Sequence, residues 1–364
     1  MLVSPLAFRF AQRLRAQLLV RGLAKALLLG AASVALSAHA ADLRVVTHDS
    51  FDLPKPLLQG FEQAHGVTLK IVKAGDAGEM LNKLILTQGS PIGDVVYGID
   101  NSLLGRAREA GILQPLPDGL RDLKLSAAVA KAAPDAAQAA DWLPVDWGHV
   151  TLNADKAWFA QSGLALPQRL DDLAKPEYAK LLVVQNPSTS SPGLAFLAAT
   201  VQAKGEGAWD WWAQLRAGGV KVAKSWSDAY YKDFTRNGGD RPLVVSYLTS
   251  PAAEVFYSEK KIDQSPTANV SVVGGVFVQV EGVALLKGAQ QATAAQAFMR
   301  FMRSPEVQTA LQTTMWMLPV QDGVAAVPVM QHAGQAASVQ AVPVATLAQH
   351  AAAWRQRFTQ TVLR

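Results

Sequence analysis

Eleven residues, KSWSDAYYKDF from Lys224 to Phe234, hold a tryptophan, two adjacent tyrosines, a phenylalanine and two aspartates. Rings and carboxylates at this density can clamp a metal ion, stack on an organic ligand or fill a core. Read as a helix, the segment has Ser227 as its N-cap, Asp228 in the positive first turn and Asn237-Gly238 as its end. Tyr230 and Phe234, four apart, then share an inward face while Tyr231 points to the surface. Trp226 falls before the cap, in a loop, and is the first candidate for an aromatic ligand contact. Two tyrosinates and a carboxylate would also suit a hard trivalent ion, so Tyr230 and Tyr231 define a competing ferric site.

Other polar and aromatic residues gather where strands are predicted to end, which is where open α/β sheets bind ligands. They are His48-Asp49-Ser50-Phe51, Asp76, Asp100-Asn101, Asp146-Trp147, the run Asn186 to Gly193, Trp226 and Tyr247. Ser190 or Ser191 before Pro192 signals a helix start. Its N–H groups and hydroxyls either cap the helix or receive a polar or anionic ligand group. Asp76 before a helix is at once a cap and a carboxylate for a cationic or amino group. Trp316, in a short turn after a helix, suits a core plug or a cleft wall. Catalysis has less support: His48 and Asp49 are neighbours whose side chains diverge in a strand, and neither HExxH nor GxSxG occurs. The chain reads as a binder and not an enzyme.

The elements that must carry these residues alternate. Strand Leu43–Thr47, helix Pro54–His65, strand Val67–Val72, helix Ala77–Gln88 and strand Asp94–Tyr97 form one series, followed by a strand near Trp142–Val145 and an alanine-rich helix over Ala127–Ala140. A second series runs through strand Leu181–Val184, helices Pro192–Ala203 and Gly207–Ala217, strand Val220–Ala223, the aromatic helix and strand Leu243–Ser246. Val276–Leu286 is one strand or a pair, and Gln291–Met302 and Pro305–Thr313 are helices. Alternation implies parallel pairing, and two series imply an α/β protein of two Rossmann-like lobes. The expected boundaries are 41–148 for the first part of lobe 1, 149–273 for lobe 2, and 274–364 for a return to lobe 1 with C-terminal helices.

The chain of 364 residues is half apolar and can bury a large core. Its first forty residues carry Arg9, Arg13, Arg15, Arg21 and Lys25 without an acid, then an apolar run and Ala38-His39-Ala40. This is the pattern of a secretory signal peptide cleaved near Ala40. Removing those five from the 34 basic residues leaves 29 against 29 acids. A near-neutral mature protein without a basic run argues against nucleic acid as a partner. Zero cysteines exclude disulfides, thiol nucleophiles and thiolate metal sites.

Seven segments in order carry a resemblance: THDSF from Thr47, Asp76 before LNKL, GDVVYGIDN from Gly93, NPSTSSPGL from Asn186, KSWSDAY from Lys224, SYLTSPA from Ser246 and WMLPV from Trp316. Together they resemble the periplasmic thiamine-binding proteins of ABC importers over nearly all of the mature chain. The resemblance implies a type 2 periplasmic-binding-protein architecture, two lobes joined by crossover strands. It implies thiamine or its phosphates as transported ligand, no cofactor, an inner-membrane ABC permease as partner, and a monomer in the periplasm. Ligand contacts then fall on Asp76 with Ala77, Ser190 with Ser191, Trp226, Tyr247, Leu248, Thr249, Ser250 and Trp316, with His48 and Tyr230 beside them. His48 stands where better-known members carry Tyr, and Ala253 where one carries another Tyr. Thiamine joins a permanently cationic thiazolium to an aminopyrimidine, so rings and a carboxylate suit it.

Overall fold

The β-branched runs pair into one ten-stranded sheet among the described residues of a computed structural model, which are 41–121, 124–134, 139–336, 339 and 341–364. The expected signal peptide lies outside them. The strands are β1 (Ala41–Thr47), β2 (Val67–Lys73), β3 (Val95–Asp100), β4 (Leu143–Asp155), β5 (Leu182–Gln185), β6 (Lys221–Ala223), β7 (Leu243–Tyr247), β8 (Thr267–Val270), β9 (Phe277–Leu285) and β10 (Leu318–Pro319). Their order is β2-β1-β3-β9-β4-β7-β5-β6, with β8 and β10 both added to β4. β1 and β3 are parallel, as are β5 with β6 and β5 with β7. β9 and β4 run antiparallel to each other and to their outer neighbours, so they join the two parallel groups.

Each group is covered by helices whose apolar stripes fall at helical spacing. Met80, Leu81 and Leu84 of helix Ala77–Leu86 pack with Val46, Val96, Val280 and Ala284. Phe298 and Met299 of helix Ala292–Met302 close the other face over Val45, Val95 and Leu285. On the far side of β4, Trp211 and Trp212 of helix Ala208–Ala217 meet Phe196, Val184 and Leu152. All nine residues of β9 are buried, the pattern of a strand covered on both faces.

Several elements differ from the sequence reading. The strand expected near Trp142–Val145 continues to Asp155, because Asp146 to His149 pair with β9 although their polarity reads as a loop. Of the two alternatives for Val276–Leu286, one strand or a pair, the single strand β9 over Phe277–Leu285 is the one formed. The alanine-rich helix spans only Ala127–Ala132, and Pro134 follows its C-cap and prevents continuation. In the aromatic segment Ser225, not Ser227, is the cap, its Oγ accepting from the Asp228 N–H at 3.0 Å. Trp226 is therefore the first helical residue and not part of a loop. After three α-helical residues the chain widens into a π-turn over Ala229–Asp233. Tyr230 and Phe234 are buried there and Tyr231 is exposed, as the spacing predicts.

Candidate ligand-binding site

The residues that follow β1, β2, β6 and β7 converge on a cavity of about 320 Å³, within the range of small-molecule sites. Of the sequence candidates His48, Asp76, Ala77, Ser191, Trp226, Tyr230, Tyr247, Thr249, Ser250 and Trp316 line it. Ser190 and Leu248 do not. Ser190 occupies the N-cap position of helix Ser191–Lys204 without capping it, and its buried hydroxyl lies beside Asp76 outside hydrogen-bond geometry. Leu248 is buried and turned toward a neighbouring surface cavity, its N–H bonded to the His149 carbonyl at 2.9 Å. Tyr231, placed outside the site by the helical wheel, lines its mouth, since the π-turn rotates it back toward the opening.

One wall is aromatic. The Trp226 ring stacks on Tyr230 with centroids 5.1 Å apart and planes at 19°. Its Nε1–H donates to Ser246 Oγ at 2.9 Å, and Tyr247 meets it edge-on at 6.2 Å. Tyr230 donates its hydroxyl to Glu254 at 2.7 Å. The opposite wall is Trp316, held at φ 57° in a region that non-glycine residues seldom adopt. Thr249 Oγ1 donates to the Trp316 carbonyl at 2.6 Å, and Phe256 and Tyr257 pack edge-on against the ring. The turn thus aims Trp316 into the cleft as a wall and not into the core as a plug.

Asp76 ties the two parallel groups of the sheet together. One carboxylate oxygen accepts from the Ala77 N–H at 2.7 Å and so caps the helix, and the other accepts from the Trp226 N–H at 2.8 Å. Burial raises its pKa, although the Trp226 and Ala77 N–H groups oppose the shift. The same helix end touches the loop before helix Ser191–Lys204, where the Glu79 N–H donates to the Thr189 carbonyl at 2.9 Å. A Cβ on Gly78 would lie 2.7 Å from that carbonyl carbon, so this approach needs glycine.

The floor is acidic. A bulge in β4 between Pro144 and Asp146 sets Asp146 directly across from Glu281 of β9. Like charges in a cross-strand pair repel, and Tyr97 lies between them, its hydroxyl 2.5 Å from Asp146 Oδ2 and 3.1 Å from Glu281 Oε2. One hydroxyl proton cannot serve two carboxylates. The hydroxyl donates to Asp146 at the shorter distance, and burial, followed by the Glu281 charge, pushes the Asp146 pKa well above its ordinary value. Asp100, also buried, is pushed up to about 6 by burial, with Gln279 Nε2 and Ser102 Oγ donating to it at 2.5 and 2.6 Å. His48 Nε2 stands 3.5 Å from Glu281 Oε2. Among the described residues no cluster of three His, Asp or Glu is placed to hold a metal ion.

A family model for bacterial extracellular solute-binding proteins matches residues 90–348. The chain belongs to that family. This solute-binding protein is 34% identical to the thiamine-binding periplasmic protein of Escherichia coli K12, over 76% of this chain and 80% of the relative. A solved structure titled periplasmic thiamin binding protein superposes with a TM-score of 0.77 at 29% identity, over 90% of this chain and 98% of the other. A ferric binding protein from Campylobacter jejuni, with a TM-score of 0.69 at 20% identity over 88% and 99%, shares the fold.

Sequence reasoning missed several lining residues of this solute-binding protein, chiefly Glu281, Glu254, Arg236 and Tyr257. Glu281 had a usable signal. It interrupts the apolar strand FVQVEGVAL, and a glutamate inside such a run is either paired or functional. Glu254 and Tyr257 carried none, because they lie on and just after helix Ser250–Phe256, which their local pattern does not announce.

Proposed function

We propose that this solute-binding protein captures thiamine in the periplasm and presents it to the membrane permease of an ABC importer. The observation that carries the reading is the composition of one cavity, where stacked Trp226 and Tyr230, with Tyr247 and Trp316, surround the carboxylates of Asp76, Glu254 and Glu281. A permanent organic cation with two aromatic rings needs flat π faces and negative charge together. Cation–π contacts contribute about 0.5–2 kcal/mol each, most with Trp. The names of the relatives point the same way.

In this reading the ligand touches Asp76, Ala77, Ser191, Trp226, Tyr230, Tyr247, Thr249, Ser250, Trp316 and His48, and the site binds without turnover. The chain works as a monomer of two lobes, 41–148 with 274–364 and 149–273, that close through bending of β4 and β9. Closure lets the permease distinguish loaded from empty protein. The signal-peptide pattern of the first forty residues supports export. Ferric-ion ligation by Tyr230 and Tyr231 has less support, because the Tyr230 hydroxyl is already bonded to Glu254 at 2.7 Å and, among the described residues, no group of three His, Asp or Glu is placed to hold a metal ion.

Titration of the secreted protein with thiamine, following tryptophan fluorescence, with ferric ion and spermidine in parallel, tests the proposal. Saturable quenching by thiamine alone is expected. Silence toward thiamine with a coloured ferric complex would overturn it. Thiamine, its monophosphate and its diphosphate titrated side by side rank the cargo.

A further inference from the structure

Two lining residues form a pair that the walls do not explain. His48 follows β1 and sits over Gly98, the extra residue of a bulge in β3 opposite β9. Gly98 has φ 98°, and a Cβ there would lie 2.2 Å from His48 Cδ2, so the backbone is shaped to admit the imidazole. The ring also packs on Tyr97, with centroids 5.6 Å apart. Its Nε2 points at Glu281 Oε2, 3.5 Å away. The contacts from His48 and Tyr97 both fall on Oε2, and Glu281 lines the cavity. Asp76, by contrast, has both oxygens engaged by backbone N–H groups.

We infer that Glu281 is the charge-pairing residue for the cationic ligand, and that His48 is its resident counter-ion, which gives up its ring proton to solvent when the ligand's positive charge arrives. The inference rests on the thiamine reading and adds a proton to it. The balance is simple: imidazolium and carboxylate form the pair before binding, ligand cation and carboxylate form it afterwards, and one proton leaves with no bond made to the ligand. Every titratable group facing His48 favours its charged form in the free protein. Glu281 faces it from β9, Asp76 from the end of the β2 loop and Asp49 from its own loop, while Tyr97 of β3 and, behind it, Asp146 contribute no positive charge. Burial, the largest single influence, pushes the imidazole down, but the Glu281 charge and contact together with the Asp76 and Asp49 charges outweigh it, and the pKa is raised. A second cation beside Glu281 reverses that balance.

Linkage fixes the sign. Binding that expels a proton weakens as pH falls below the His48 titration, by up to about tenfold in Kd per pH unit, and levels off above it. The test is calorimetric titration of the secreted protein with thiamine from pH 5 to 8, in two buffers of different ionisation enthalpy, for wild type, His48→Gln and Glu281→Gln. The expected wild type releases up to one proton and binds progressively more weakly in acid. His48→Gln, whatever its affinity, should show no proton release and a flat pH profile, and Glu281→Gln should lose at least tenfold in affinity at pH 8. Thiamine binding by wild type that is independent of pH and buffer overturns this inference while leaving the thiamine reading intact, whereas absence of binding at every pH strikes the reading itself. A pH dependence that persists in His48→Gln also overturns it, because the proton then belongs to Asp100 or Asp76.

Discussion

Truncating Trp226 separates the ligand wall from the fold because its three interactions can be removed unequally. Trp226→Ala keeps the backbone N–H that Asp76 accepts at 2.8 Å, so the tie between the two sides of the cavity survives. Ser246, deprived of the indole N–H, still has the Ser250 hydroxyl at 3.0 Å and is not left buried and unpaired. What disappears is the stacked face over Tyr230 and the π surface offered to the ligand. A cation–π contact of about 0.5–2 kcal/mol and the lost aromatic contact area together give about 2 kcal/mol, or about 30-fold in Kd. Stability should fall by about 1 kcal/mol, since the ring is half-buried at the margin of a small core cluster. Calorimetric titration with thiamine beside thermal unfolding measures both. An affinity within about threefold of wild type, with the fold intact, would refute the placement of Trp226 against the ligand.

Four further substitutions probe the floor and the aromatic wall. Gly98→Ala should destabilise by about 2 kcal/mol or more, from backbone strain and collision with His48. Adding His48→Ala should recover the collision part only, which a double-mutant cycle by urea unfolding resolves. Tyr230→Phe should cost about 1–2 kcal/mol of stability by stripping a hydrogen bond from Glu254, whose remaining partner Arg236 is 3.7 Å away; an unchanged urea midpoint would contradict that bond. The Asp146 pKa is raised in the folded protein above its ordinary value of 3.8, so the group makes stability fall as pH rises from there toward its folded pKa. Asp146→Asn should flatten that slope, by up to about 1.4 kcal/mol per pH unit, and gain stability at pH 7 relative to wild type in paired unfolding curves.

The α/β alternation and most of the site were legible because each rests on a local signal. Strands in the parallel groups are short apolar runs, and Asp76, Trp226 and Tyr247 lie just after or at the ends of such runs. The through-strands were harder. Asp146-Trp147-Gly148-His149 reads as a loop until β9 and β10 pair with it, a partnership of residues more than a hundred positions apart. The cap at Ser225 was misplaced by two residues because Ser225 and Ser227 are equally good caps in sequence, and the Asp76 carboxylate beside Trp226 favours the earlier start. Tyr231 is exposed as the helical spacing predicts, and it also lines the cavity. Ser190 was chosen for its hydroxyl, yet backbone contacts between Asn186 and Ser190 organise that helix start.

The closure proposed above, combined with the placement of charge on β4 and β9, implies an order of events. Asp146 and Glu281 face each other on the strands about which the flanking layers would swing, whereas Trp226, Tyr230 and Trp316 are carried on segments beyond the strand ends. Points on such a pivot would move least, so the electrostatic seat would be the same in open and shut protein. The rings, at the end of the lever, would arrive later. An incoming cation would then be held first by a fixed charge and only afterwards enclosed by moving walls. The early contact would govern how fast a ligand is caught, and the late one how long it stays.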